Sequence, residues 1–191
     1  MKRPTAKEDV VELSGAVVNA SLSYDVWWVL VNVENQEALD PVKAKFRPFF
    51  IATEFAHFVA MINFLYQVHE SKQNTRNLNT VLARLVKEGR LSSSSGLEVE
   101  AAIAECQPVW KKVAMIRSST LAHQSNKAIT KDLMAAAELA PVELEWLVGR
   151  TKSVVKQFAA AVEILGSAAI DYSATKTTKD LMNALAVTDA H

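Results

Sequence analysis

The sequence predicts an all-α protein, an up-and-down bundle of four long helices with shorter helical pieces between and after them. Three observations carry this. Apolar residues recur three and four apart through four long segments, the spacing that places them on one helical face. Glycine and proline are scarce, five of each in 191 residues, and fall mostly where such segments start or stop. No segment shows the strict apolar–polar alternation of a half-buried strand.

The first helix is predicted from about Lys7 to Val33, with a seam of Val10, Leu13, Val17, Ala20, Tyr24, Trp27 and Val31 suited to antiparallel bundle packing. Asp40-Pro41 supplies an N-cap and first-turn proline for a second helix running to about Glu70, with a bend or restart at Pro48. Its stripe is Ile51, Phe55, Phe58, Ile62 and Leu65, with Ala52, Val59 and Tyr66 beside it, so it should be the most buried helix. Ser71 to Asn77 reads as a polar link, followed by a short helix on Leu78, Val81, Leu82 and Leu85 that Gly89 stops. Ser92 to Gly96 reads as a loop in which Ser95 and Glu98 resemble a capping box. The next long helix then spans about Leu97 to Ala122, with Pro108 as a possible kink.

Gln124 to Asp132 is polar and reads as loop. Pro141 opens the last long helix, with a stripe of Leu144, Val148, Thr151, Val155, Phe158, Val162 and Leu165. A short amphipathic helix is predicted over about Thr178 to Val187. The expected organisation is one bundle over residues 1–172, then a short C-terminal helix and tail over 173–191.

Length and composition fit one domain with a sizeable core. Twenty-one basic residues cancel twenty-one acidic ones, so no global basic field advertises nucleic-acid binding and any such contact must be a local patch. The single cysteine, Cys106, excludes an internal disulfide and a multi-cysteine zinc site, and its place on an apolar stripe marks it as a small core residue. Met1 to Glu12 mixes charges of both signs and lacks an apolar stretch, so no secretory signal is expected. The most apolar window, Phe49 to Val68, contains Glu54, His57, Asn63 and Gln67 and reads as a core helix rather than a membrane span. A cytoplasmic protein with no membrane contact is the expectation.

The most informative segment is Arg117-Ser118-Ser119-Thr120-Leu121-Ala122-His123. The preceding stripe of Val99, Ile103, Cys106, Trp110 and Val113 continues into Arg117 and Thr120, and at about 100° per residue Arg117 and His123 flank Thr120 on one half of the helix. A guanidinium in line with a core stripe is costly unless it meets an anion, a partner chain or a ligand.

An arginine, five intervening residues and a histidine at the end of a long helix in an all-α bundle is similar to the signature of the HEPN superfamily. The wider pattern resembles the AbiU-like abortive-infection branch: an aromatic first helix around Tyr24 to Trp28, the run Asn79-Thr80-Val81-Leu82-Ala83-Arg84-Leu85, and Ile116-Arg117 leading into Leu121-Ala122-His123. The resemblance implies a HEPN-like bundle and a metal-independent endoribonuclease of the defence or toxin–antitoxin kind, or a relative that kept the fold and lost the activity. It implies a homodimer with the site in a groove on the two-fold axis, RNA as substrate, an antitoxin protein as a possible partner, and no cofactor. Arg117 and His123 become the catalytic candidates, supported by Ser118, Thr120 and Asn126. Two departures stand out: Ser118 replaces the usual Asn, Asp or His, and Ser125 replaces an acidic residue often found two after the histidine.

The residue chemistry suits that reaction. RNA carries its own nucleophile, the 2′-hydroxyl. His123, with an ordinary pKa near roughly 6.5, can act as base or acid at neutral pH. Arg117 offers a planar, permanently charged fork for phosphate oxygens. About 9 Å of helix rise separates the two Cα atoms, so a shared phosphate bridges them more easily than direct contact. Lys111, Lys112 and Lys127 are candidates to attract the RNA backbone.

Plainer readings compete. On the plainer reading, Arg117 pairs with a carboxylate of a neighbouring helix, such as Glu54, and His123 caps its helix. Glu54-Phe55-Ala56-His57 is half of a di-metal carboxylate motif, but no second Glu-x-x-His exists in the sequence. That pair therefore reads as a hydrogen-bonded couple, with no metal expected. His69 and His191 have no evident partner. The four tryptophans, spread over three helices, read as packing rather than a base-stacking platform. No glycine-rich phosphate loop or nucleophile elbow is present. A non-catalytic module binding nucleotide, RNA or protein, and a metal-bundle oxidoreductase, are the competing function classes.

Overall fold

Thr5 accepts from the backbone of Glu8 while the Glu8 carboxylate accepts from the backbone of Thr5, and this capping box starts α1 (Ala6–Val31). The computed structural model describes residues 4–32, 36–72, 74–122, 130–164 and 170–187. Over these it has seven further helices: α2 (Gln36–Lys45), α3 (Arg47–His69), α4 (Leu78–Lys87), α5 (Ser93–Ala122), α6 (Thr130–Ala136), α7 (Pro141–Ala161) and α8 (Thr175–Val187). Among the described residues there is no strand.

The four long helices α1, α3, α5 and α7 form the bundle, α1 and α5 each packing against both α3 and α7. Their directions alternate. Val10 near the start of α1 clusters with Val68 near the end of α3, Val99 in the first turns of α5 and Phe158 near the end of α7. At the other end Trp27, Phe58, Ile116 and Leu144 share a second cluster. The α1 seam is buried as its spacing predicts, apart from a half-buried Val31. Cys106 is buried, and burial pushes its thiol up to about 11. A third, smaller cluster joins Leu30, Val42 and Phe50 to Met182 of α8, and Asp25 of α1 accepts from Ser173 Oγ and the Ala174 amide at the start of α8.

Several expectations are corrected. Helix α2 begins at Gln36, so Asp40 is not its N-cap and Pro41 lies inside it. The restart comes at Phe46, which puts Pro48 in the first turn of α3. Helix α5 begins at Ser93, with Ser92 Oγ accepting from the Ser95 amide, so Gly96 is helical rather than a loop residue. Glycine belongs there because a Cβ would come within 2.8 Å of Val86 Cγ2. Pro108 sits within an unbroken α5. Helix α6 starts in a stretch read as loop. The polar link and Gly89 behave as expected: Asn77 and Thr80 form a capping box, and Gly89 takes φ 67° while the Arg90 amide reaches Leu85 O.

Helix α3 alone, among the described residues, is long and apolar enough to cross a membrane by length and composition; in the fold it packs between α1 and α5. It is buried on one side only. Phe50, Phe58, Met61, Ile62 and Leu65 point inward, whereas the predicted stripe members Ile51 and Phe55 are exposed by 57% and 42%, and Phe49 by 61%.

Helix α7 ends in the same way as α4, but with Glu163 at the left-handed position (φ 53°), the Ile164 amide bonding to Ala159 O. A side chain there costs about 1 kcal/mol that glycine avoids. Glu163→Gly is therefore expected to raise stability by about 0.5–1 kcal/mol in urea unfolding, because the Glu163 side chain is exposed.

Candidate functional site

Arg117 lies on α5 five residues before the end of the helix and is half-buried. No carboxylate and no hydrogen-bond acceptor engages it among the described residues. Its guanidinium carbon sits 3.9 Å from the centroid of the Tyr66 ring on α3. The Tyr66 ring stacks in turn on Trp110 of α5, at 6.0 Å and 30°. Helical side chains lean toward the N-terminus of their own helix, so across the antiparallel α3–α5 pair Tyr66 and Arg117 lean toward each other. The arginine that interrupts the stripe is thus accommodated on the face of an aromatic ring.

The ion pair with Glu54, the plainer alternative for Arg117, does not form. Glu54 pairs with Lys43 of α2 at 2.7 Å, and Lys43 also donates to Leu30 O. This also replaces the expected bond between Glu54 and His57, whose half-buried ring is held below the usual imidazole range by desolvation.

The other predicted site residues are placed unequally. His123, Asn126 and Lys127 lie outside the described residues, as do Ser125 and His191. Of Thr120 only the helical backbone is described. Ser118 and Lys111 are exposed on α5. Lys112 is engaged: its ammonium donates to Glu143 Oε1 and to Glu138 O, both at 2.7 Å. That pair lowers the Glu143 pKa, the Lys112 bond being the largest cause.

The tryptophans divide. Trp27 is buried against Phe58, Trp110 belongs to the Tyr66 stack, and Trp146 is 42% exposed. Trp28 stacks on Tyr24 and lines a mostly apolar cleft of about 480 Å³ between the end of α1 and α6.

Two arrangements lie outside the sequence reading. His69 is 1% exposed, and its Nε2 is 2.8 Å from Thr151 Oγ1 on α7. The Thr151 hydroxyl donates to Leu147 O, so the imidazole must donate through Nε2, which leaves Nδ1 as a buried acceptor without a partner. Burial pushes this histidine down to about 4. At the end of the bundle where α1 begins, Arg76 and Arg84 both bind the buried Asp9, Arg76 also reaches Glu12, and Arg84 reaches Glu88. These line a cleft of about 1010 Å³, but the two guanidinium groups are already matched by carboxylates, so it is a structural ion-pair knot rather than an anion site. In the sequence Arg84 lies within the run Asn79 to Leu85, and nothing local marks Asp9 as its partner.

The family model for AbiU2, a HEPN family, matches residues 5–177, which is most of the chain. No curated protein and no solved structure matches.

Proposed function

The chain belongs to the AbiU2 family of HEPN proteins, and from that premise, which makes it an abortive-infection-related HEPN domain, we propose that it is a metal-independent endoribonuclease acting as a homodimer in a defence or toxin–antitoxin setting in the cytoplasm. The observation that carries the reading is Arg117: a cation at the signature position, on the bundle wall, with no carboxylate to neutralise it among the described residues. On α3, the helix that carries Tyr66, Phe49, Ile51 and Phe55 are exposed. A second copy of the chain would cover these side chains and bring two Arg117–His123 pairs to one groove.

In that groove one His123 takes the proton of the 2′-hydroxyl as its oxygen attacks the adjacent phosphorus. The 5′-oxygen leaves with a proton from the second imidazole, and a 2′,3′-cyclic phosphate remains. Arg117 donates its fork to the phosphate oxygens as they gain charge. Lys111 and Lys127 add attraction for the RNA backbone; Lys112 contributes less because Glu143 neutralises it.

The test is cleavage of single-stranded RNA by the purified chain in EDTA. Products with cyclic-phosphate ends and a dimer by sedimentation support the reading, and Phe55→Ser should weaken dimer and cleavage together. Ser118 and Ser125 stand where the family has orienting groups, which favours a second reading, a non-catalytic binding module. Saturable RNA binding without cleavage over varied RNAs would select it.

A further inference from the structure

Arginines that bind phosphate must keep their N–H edge free, yet a guanidinium on a bundle wall is usually captured by a carboxylate. Here Glu54 is the acid expected to capture it, and Lys43 holds that acid instead. What holds Arg117 is the face of Tyr66, 3.9 Å from the guanidinium carbon, and that ring also stacks on Trp110. A contact to the face of a cation restrains its plane without using any of its five in-plane donors. The same contact fixes a long side chain that would otherwise sample many rotamers.

Resting on the ribonuclease reading above, we propose that Tyr66 is the positioning residue for Arg117: its ring, stacked with Trp110, presents the arginine fork to a phosphodiester of single-stranded RNA. The ring face does this work and the tyrosine hydroxyl does not. Tyr66 touches neither the 2′-hydroxyl nor the leaving oxygen, so it acts through Arg117 alone.

The consequence is a pattern of coupling. Tyr66→Leu removes the ring and lets the guanidinium wander. Because a misplacement of about 1 Å can cost on the order of 10²-fold, it should lower kcat about tenfold or more, while KM and the affinity for an uncleavable oligonucleotide change less, by about threefold. Tyr66→Phe keeps the ring face and should restore cleavage to within about twofold of wild type. In an Arg117→Ala background, Tyr66→Leu should have no further effect, since its partner is gone.

The experiment measures kcat and KM on single-stranded RNA for these variants. In parallel it measures anisotropy binding of a 2′-O-methyl oligonucleotide, which cannot be cleaved. Incorporation of pentafluorophenylalanine at position 66 guards against loss of fold, because it preserves shape while reversing the charge of the ring face. That variant should behave like Tyr66→Leu in both assays.

Three results overturn the proposal while leaving the ribonuclease reading intact. They are a normal Tyr66→Leu beside a defective Arg117→Ala, a Tyr66→Phe as impaired as Tyr66→Leu, and an equal loss from Tyr66→Leu with and without Arg117. If Arg117→Ala itself binds and cleaves normally, both fall. If nothing is cleaved but the oligonucleotide binds with the predicted coupling, the proposal stands and the ribonuclease reading falls.

Discussion

His123→Ala is expected to reduce RNA cleavage by about 10²- to 10⁴-fold, with the helical signal and thermal melting unchanged. The size follows from the chemistry. Without an imidazole the 2′-hydroxyl must lose its proton to water, and the leaving oxygen must depart without a matched acid. A symmetric groove makes the loss severe, because the substitution removes base and acid together. Wild-type cleavage should follow a bell-shaped dependence on pH, since one imidazole must be neutral and the other charged. Arg117→Ala should fall by a comparable factor for a different reason, loss of charge stabilisation, and should leave the shape of the pH profile intact. Arg117→Lys should recover little, because an ammonium offers neither the planar fork nor the same stacking on Tyr66. Cleavage by His123→Ala at the wild-type rate would remove the proposed acid–base role outright.

The four long helices were legible in the sequence because each buries a stripe long enough for its period to dominate over local exceptions. Ends were less legible, for identifiable reasons. Gly96 looks like a breaker, yet it is helical because Val86 presses against it from α4, a contact that sequence spacing cannot show. Asp40-Pro41 has the chemistry of a helix start, but α2 is already under way at Gln36. Helix α3 has apolar residues around most of its circumference, so its sequence could not say which side faces solvent; the answer leaves Ile51 and Phe55 outside. Arg117 was readable as the break in a clear apolar stripe. The means of accommodating it was not. Glu54 was the obvious counter-ion by type, and only the path of the chain from α2 into α3 gives that carboxylate to Lys43. Tyr66 was legible as a residue beside the α3 stripe but not as the platform for Arg117.

His69 shows the same limit and leads to the second large effect. Its partner Thr151 is 82 positions away, so no local pattern reveals the bond. In the folded protein the imidazole is neutral, with its pKa pushed down to about 4 by burial, while in the unfolded chain it titrates near roughly 6.5. Between those values the unfolded state binds a proton that the folded state refuses, so stability falls as pH is lowered from about 6.5 and this contribution levels off near about 4. A separation of that size corresponds to a loss of about 3 kcal/mol, or roughly 6–12 °C in melting temperature for a chain of this length. His69→Leu should abolish most of that slope, and the Thr151 hydroxyl keeps its bond to Leu147 O in the variant. The carboxylates with lowered pKa values, Glu8, Glu143 and Asp171, lose their contributions mainly below about pH 4.5, so the interval above it isolates the histidines. His57 shifts in the same direction but is only half-buried, and it remains in both proteins, so the difference between wild type and His69→Leu belongs to position 69. Urea unfolding at pH 7.5, 6, 5 and 4.5 measures it; parallel pH dependences for the two proteins would show that the buried imidazole is charged or solvated in the fold, contrary to the bond it makes with Thr151.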